Sequence, residues 1–144
     1  MNHSIGITLK FAEFASGVTN RPTAPQGDLV GPDHVRALSS CATTAKRAWK
    51  SVDPTRSCDL SFGSFSADLA AGINLFDVLA HTWDIATATS VEIDCVDVLW
   101  SAGLDAARTV IGTSRDPAHY APEMPVGPNA GPREQFLRFL GRVA

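Results

Sequence analysis

Residues 76–89, with the sequence FDVLAHTWDIATAT, decide the expected fold because they set three polar groups into an otherwise apolar run. The polar groups are Asp77, His81 and Asp84. Residues three or four positions apart stack along one side of a helix, so this spacing places all three on one stripe. A helix that is apolar around the rest of its circumference is usually buried. A buried polar stripe needs partners, and a metal ion is one such partner.

A second interpretation stays open at this point. If the stripe faces water, Asp77 and Asp84 are solvated carboxylates and His81 is an incidental surface imidazole. A carboxylate followed four residues later by a histidine is a short and common pattern. Spacing alone therefore does not separate a metal site from a solvated helix face.

The wider segment DVLAHTWDIATAT, residues 77–89, resembles the signature helix of the actinobacterial branch of the DinB/YfiT-like metalloenzyme superfamily. That branch includes the metal-binding domain of mycothiol-dependent maleylpyruvate isomerase, and its members typically have a carboxylate, three further residues and then HxWDLAxATG. This chain has Ile85 instead of the leucine and Ser90 instead of the glycine. The NHxxG pattern at residues 2–6 and the FLGR ending at residues 139–142 also resemble the family, so the resemblance spans residues 3–142.

The resemblance implies an all-α, DinB-like antiparallel helical bundle that forms a single domain over residues 1–144. It implies three metal ligands, His3, Asp77 and His81, with Asp84 either orienting His81 from behind or lying beside an open coordination position. Two imidazoles and one carboxylate leave positions for water or substrate, as catalytic sites do. These ligand types favour zinc, although nickel or ferrous iron would suit the same set.

Members of the family usually carry another helix before the NHxxG pattern. The resemblance therefore predicts that this chain lacks the family's first helix, and that Ile5, Leu9, Phe11 and Phe14 lose part of their cover. Apolar burial is worth about 25 cal/mol per Å², so a wet face of this kind would favour association into a homo-oligomer or poor folding.

Composition narrows the function classes. The net charge of −3, without a basic cluster, gives no electrostatic footprint for nucleic acid. The chain has no uninterrupted apolar run of about 18 residues, so no membrane span is expected, and no secretion signal is visible. Cys41, Cys58 and Cys95 form no CxxC pair, which favours reduced thiols and a cytoplasmic location.

Periodicity, caps and breakers predict four main helices at 2–16, 32–51, 67–88 and 95–111, a short helix at 132–140, and at most a small strand pair near 58–65. Pro32 is expected in the first turn of the second helix, and Ser66 and Asp94 are expected as N-caps. The apolar positions of the second helix include Val35 and Leu38. Those expected inside the fourth helix are Val98, Leu99, Ala102, Ala106 and Val110.

Two other histidines lie outside the stripe. His34, at the start of a helix, is expected to be exposed to solvent. His119 and Tyr120 lie in the proline-rich loop of residues 113–131, where they could line a substrate pocket above the site. Surface histidines are mostly incidental, so the pocket is the less common of these two interpretations.

Three function hypotheses follow. The first is a thiol-dependent isomerase or transferase, in which the metal binds a small-molecule thiol, mycothiol by resemblance, and presents a thiolate to an electrophilic substrate. The second is a non-catalytic metal-binding module, because in maleylpyruvate isomerase itself a further C-terminal domain contributes to catalysis. The third is a helical interaction protein whose site has decayed.

Overall fold

The computed structural model describes residues 1–17, 23–60, 63–112 and 115–143. In chain order its elements are α1 (Asn2–Ser16), α2 (His34–Trp49), β1 (Ser57–Leu60), β2 (Gly63–Ser66), α3 (Ala67–Thr89), α4 (Asp97–Ile111) and α5 (Pro132–Phe139). The prediction of a mostly helical chain with one small strand pair is confirmed. The chain divides into two compact units, Met1–Asn74 and Leu75–Ala144, with the boundary inside α3. None of the helices in the described ranges combines the length and the apolar character needed to cross a bilayer.

In the first unit, α1 packs against α2 and buries Ile5, Phe11 and Phe14. The expectation that these three residues lose their cover is therefore wrong. The loop before α2 supplies part of the cover, since the Leu29 side chain lies 3.3 Å from the point where a Cβ would stand at Gly6. That loop is tied to the start of α1, because the Asn2 side chain donates to Gly27 O at 3.0 Å and accepts from the Leu29 N–H at 2.7 Å.

Helix α2 begins at His34, two residues later than predicted, because Asp33 caps it by accepting from the Arg36 N–H at 3.0 Å. Pro32 therefore lies before the helix and not in its first turn. The residues that α2 buries are Cys41 and Ala45. Large apolar side chains at the start of the helix, Val35 and Leu38, stay exposed instead. Exposed large apolar side chains therefore occur on α2, whereas the sequence predicts them on α1.

The strand pair leads directly into α3. Strand β1 pairs antiparallel with β2, with Ser57 opposite Ser66 and Leu60 opposite Gly63. Ser66 Oγ then accepts from the Leu69 N–H at 3.2 Å, which confirms Ser66 as a cap of α3. The hairpin therefore ends directly at the residue that caps the start of α3.

In the second unit, α4 packs against α5 around Trp100 and Phe136, whose ring centroids are 5.4 Å apart. Both side chains are almost completely buried. Gly103 allows the close approach, because a Cβ there would lie 2.9 Å from Leu79 Cδ1 on α3 and 3.3 Å from the Phe136 ring. This core holds the second half of α3, which carries the polar stripe, in place.

The predicted inner face of α4 is right at Ala106, which is buried, and wrong at Ala102, which is exposed. Val98 and Leu99 are exposed, whereas Trp100, Gly103, Leu104, Ala107 and Ile111 are among the buried residues. The indole has the largest apolar area to bury, and its Nε1 also donates to Cys95 O at 3.3 Å. The predicted cap is wrong as well, since α4 follows Val96, which makes no side-chain cap, and not Asp94.

Candidate metal centre

Helix α3 places the imidazole of His81 between two carboxylates. Its Nε2 lies 3.6 Å from Asp77 Oδ1, one turn before it, and its Nδ1 lies 3.4 Å from Asp84 Oδ2, one turn after it. The other sides of the helix bury Ile73 and Leu79, so the stripe is the polar side of an otherwise apolar helix. All three side chains of the stripe are partly exposed, which leaves them reachable by an ion or a small molecule.

The third predicted ligand, His3, belongs to the same group of possible metal ligands. One ligand atom each from His3, Asp77 and His81 lies within 4.8 Å of the other two. His3 is exposed and stands in the first turn of α1. This group could hold a metal ion, and it contains the three residues that the resemblance implies.

The spacing of the donors fits a divalent ion after a small adjustment. Zinc–ligand distances of about 2.1 Å place two tetrahedral ligand atoms about 3.4 Å apart. The 3.6 Å between His81 Nε2 and Asp77 Oδ1 is close to that value. Atoms as far apart as 4.8 Å could not both bind, because twice the ligand distance is about 4.2 Å. Coordination by all three residues would therefore require the donor atoms to move closer together.

A buried oxygen lies one helical turn before Asp77. Asn74 Oδ1 is buried, and no donor in the described residues reaches it with a hydrogen bond. Buried polar atoms in native proteins nearly always have a partner. The unsatisfied oxygen therefore fits a stripe whose polar groups are completed by an ion or by molecules that the ion carries.

Asp84 is held by an arginine from the other end of the second unit. Arg142 Nε donates to Asp84 Oδ1 and Arg142 Nη2 donates to Asp84 Oδ2, both at 2.8 Å. These hydrogen bonds are the main reason why the pKa of the Asp84 carboxyl lies below its ordinary value of 3.8. The same bonds raise the pKa of the Arg142 guanidinium. Asp84 is thus anionic and fixed in orientation where it faces His81.

The C-terminal cap of α5 determines where Arg142 stands. Gly141 has φ 76° and donates to Arg138 O at 3.0 Å, while the Arg142 N–H donates to Leu137 O at 2.8 Å. This pair of bonds is the Schellman motif, which favours glycine at the left-handed position. A Cβ at Gly141 would also lie only 2.6 Å from Ala121 Cβ. Backbone conformation and close packing therefore both require glycine immediately before the arginine.

His119 and Tyr120 of the proline-rich loop differ in their surroundings. His119 Nδ1 lies 2.9 Å from Asp116 Oδ2, and both side chains are largely exposed. Tyr120 is half-buried; burial raises the pKa of its phenol, and the charge of Asp77 raises this pKa further. The phenol is therefore within electrostatic reach of a predicted metal ligand. His34 is exposed, as predicted.

Neither cysteine with a described side chain has the character of a reactive thiol. Cys41 is buried and Cys95 is half-buried, and burial is the main cause that raises the pKa of both thiols. Reactive cysteines usually have a lowered pKa, because the thiolate is the nucleophile and the metal ligand. These two residues therefore serve packing and are not part of the candidate site.

The sequence patterns predict no role for Arg142, and they give Tyr120 only a possible place in the lining of a substrate pocket. The glycine at 141, after a helical segment, is a signal for a C-terminal cap and could have located the backbone of Arg142. Its contact with Asp84 spans 58 positions of sequence, and no spacing rule reaches that far. Tyr120 lies in a loop whose course depends on packing against Gly141 and Arg138, which the sequence alone does not reveal.

Comparison with known proteins gives two relatives without a described function. Each is an "uncharacterized protein" of Mycobacterium tuberculosis, Rv0738 of strain H37Rv and MT0763 of strain CDC 1551. Each is 28% identical to this chain over 145 residues, covering 99% of this chain and 77% of the relative. No family model matches the chain. No solved structure matches it. The molecule is therefore a mostly helical protein with a candidate metal centre, and the DinB-like resemblance stays a prediction.

Proposed function

We propose that this chain is a divalent-metal-binding protein of the DinB-like group, with His3, Asp77 and His81 as ligands and zinc as the first candidate ion. The observation that carries the proposal is the convergence of these three ligand atoms within 4.8 Å. They come from distant parts of the sequence, and the only pair adjacent on one helix has nearly the separation that a tetrahedral ion requires.

The proposed activity is thiol-dependent isomerisation or group transfer. A bound divalent ion would lower the pKa of a thiol coordinated at an open position, with mycothiol as the candidate thiol. Asp77 and His81 would hold the ion, and Asp84 would keep the His81 ring oriented. The half-buried phenol of Tyr120, near Asp77, would offer a hydrogen bond to a polar group of an electrophilic substrate. Both relatives come from an actinobacterium, the group to which the resembling branch belongs.

Two alternatives remain as proposals of their own. A metal-binding module without turnover would need the same three ligands and no thiol site. A helical interaction protein with a decayed site is favoured by the exposed apolar side chains of Val35, Leu38 and Val98. The retention of two imidazoles and a carboxylate in one place counts against decay, since loss of a single ligand would abolish such a site.

One series of titrations tests the proposal and separates the alternatives. The purified chain is stripped with a chelator and titrated with Zn²⁺ by calorimetry and with Co²⁺ by visible absorption. We expect one tightly bound ion per chain, and a sulfur-to-cobalt charge-transfer band when mycothiol is added. Binding of the ion without a response to thiol would favour the module. Absence of stoichiometric binding would refute the metal site and leave the interaction protein.

A further inference from the structure

We infer that Arg142 is the positioning residue of the metal centre: by anchoring Asp84 it directs the proton of the His81 ring to Nδ1 and leaves Nε2 for the ion. The inference deepens the proposed function and rests on it. The charge of Arg142 also interacts with that of Asp77, but the two side-chain hydrogen bonds of its guanidinium go to Asp84. Arg142 acts through Asp84, which it binds with two hydrogen bonds of 2.8 Å.

The neutral imidazole of His81 has two possible tautomers, with its proton on Nδ1 or on Nε2. A proton on His81 Nδ1 faces Asp84 Oδ2 at 3.4 Å, whereas a proton on Nε2 faces Asp77 Oδ1 at 3.6 Å. A carboxylate stands on each side, so the ring is poised between the two. An imidazole nitrogen must be deprotonated to bind a metal, and the hydrogen bond made by the other nitrogen sets which one that is. Binding through Nε2 beside Asp77 therefore requires the Nδ1–H form.

Arg142 holds the Asp84 carboxylate in the orientation that faces His81 Nδ1. Its planar fork binds both oxygens of the carboxylate, and this geometry fixes the plane of the group as well as its charge. Only 26% of the Arg142 side chain is exposed, so the pair is partly shielded from water. Asp77 has a different role, because a carboxylate that binds the ion should not also accept a hydrogen bond from the His81 ring. The arginine thus assigns different roles to two carboxylates that flank one histidine.

The backbone around Arg142 supports a fixed position. The N–H of Arg142 is bound to Leu137 O in the cap of α5, and the preceding Gly141 packs against Ala121. The backbone that carries the guanidinium is therefore held at the end of α5. A positioning residue needs a fixed backbone, since the entropy lost on ordering a loosely held arginine would offset the energy of its ion pair.

Arg133 provides a matched control. It lies within α5, whose C-terminal cap precedes Arg142, and it also reaches α3, where its guanidinium lies 5.6 Å from the centre of the Trp83 ring. Trp83 is the immediate neighbour of Asp84 in sequence. Arg133→Gln therefore removes an arginine contact to α3 next to the stripe, and Arg142→Gln removes the contact to the stripe itself.

The decisive experiment reads the tautomer and the metal affinity separately. Long-range ¹H–¹⁵N NMR of the metal-free chain, with the ring neutral, should show His81 protonated at Nδ1 in the wild type and in R133Q. In R142Q the Nε2–H form should grow, and Zn²⁺ affinity should fall by about 10-fold or more, as for other residues that orient metal-bound histidines. Arg142→Lys keeps the charge without the fork and should recover only part of the affinity.

The outcomes separate this inference from the metal proposal. A wild-type ring protonated at Nε2, or an R142Q variant equal to R133Q in tautomer and affinity, would overturn the role of Arg142. A wild-type chain that shows the Nδ1–H form yet binds no Zn²⁺ would refute the metal site while leaving the Arg142–Asp84–His81 coupling in place. If R142Q fails to fold, the wild-type tautomer and the R142K variant still decide the question.

Discussion

Two histidine–aspartate pairs in this molecule share a spacing of three residues, and only one of them belongs to a candidate site. Asp116 and His119 in the proline-rich loop are 2.9 Å apart, whereas His81 and Asp84 on α3 are 3.4 Å apart. The loop pair is closer but more exposed, with side-chain exposures of 72% for His119 and 56% for Asp116 against 34% for His81 and 43% for Asp84. Proximity within one pair therefore does not identify a functional site.

What differs is the origin of the surrounding groups. Asp116 accepts from its own loop, from the Ala118 N–H at 2.9 Å, and so completes a local turn. The α3 pair is joined by Arg142 from the end of α5, and His81 also belongs to the group that contains His3. Bringing distant segments together costs conformational entropy. A local turn such as that at Asp116 forms without this cost. That difference makes the α3 pair the candidate for function.

The strongest way to break the comparison is to remove one histidine from each pair. His81→Ala should abolish stoichiometric Zn²⁺ binding, with at least about a 100-fold loss of affinity, because a ligand of the ion is lost outright. His119→Ala should bind Zn²⁺ as the wild type does. Calorimetric titration of both variants after chelator treatment measures the difference. Equal losses in the two variants would mean that the bound ion is held by scattered surface histidines and not by the α3 stripe.

A second test concerns the cap that carries Arg142. Gly141→Ala should lower the free energy of unfolding by about 1–3 kcal/mol, because φ is 76° and the new Cβ would meet Ala121. The variant should also weaken Zn²⁺ binding, since Arg142 would be displaced from Asp84. Gly127→Ala is the control, because nothing lies within 4 Å of a Cβ at that position. Chemical denaturation gives the first effect and calorimetry the second; a G141A variant as stable as G127A would contradict the packing argument.

The sequence alone predicted the elements well and their buried faces poorly. Helix α3 was predicted at 67–88 and runs from Ala67 to Thr89, since Ser66 caps it and its apolar run is long. The face of α4 was misassigned because aliphatic periodicity counted Val98 and Leu99 as equal to larger residues. Burial of the Trp100 indole outweighs burial of Val98 and Leu99. Which side of α4 is buried therefore depends on Phe136 of α5, which packs against the indole.

For the site, too, the sequence predicts some features and leaves out others. Helical spacing places Asp77 and His81 on one stripe, but His3 and the complete ligand set are named only through the family resemblance. Arg142 could not be assigned, since its role follows from a cap geometry and a contact between segments distant in sequence. Patterns within one helix obey fixed spacings, whereas contacts between elements depend on packing that spacing rules do not encode.

A smaller effect is expected when the carboxylate of the α3 pair loses its charge. Asp84→Asn should lower the free energy of unfolding by no more than about 1 kcal/mol, because the pair with Arg142 is bidentate but 43% of the Asp84 side chain is exposed and screened by solvent. Zn²⁺ affinity should fall further than stability does, by about 10-fold. Denaturation and calorimetry on the same preparation compare the two losses. A large loss of stability with unchanged affinity would assign Asp84 to folding and not to the site.

The smallest effect is expected at the loop pair, and it should depend on pH. The Ala118 N–H, and after it His119, hold the pKa of the Asp116 carboxyl below its ordinary value of 3.8. A lowered folded-state pKa stabilises the fold above the unfolded-state value, and this contribution is lost as the pH falls through the folded-state pKa. Asp116→Asn keeps an acceptor for the Ala118 N–H and removes only the charge. We therefore expect a slight destabilisation at neutral pH that disappears in acid, measured by chemical denaturation of both proteins across that range. Zn²⁺ affinity should not change, whereas a pH-independent loss of stability, or any loss of affinity, would show that the loop pair is coupled to the metal centre after all.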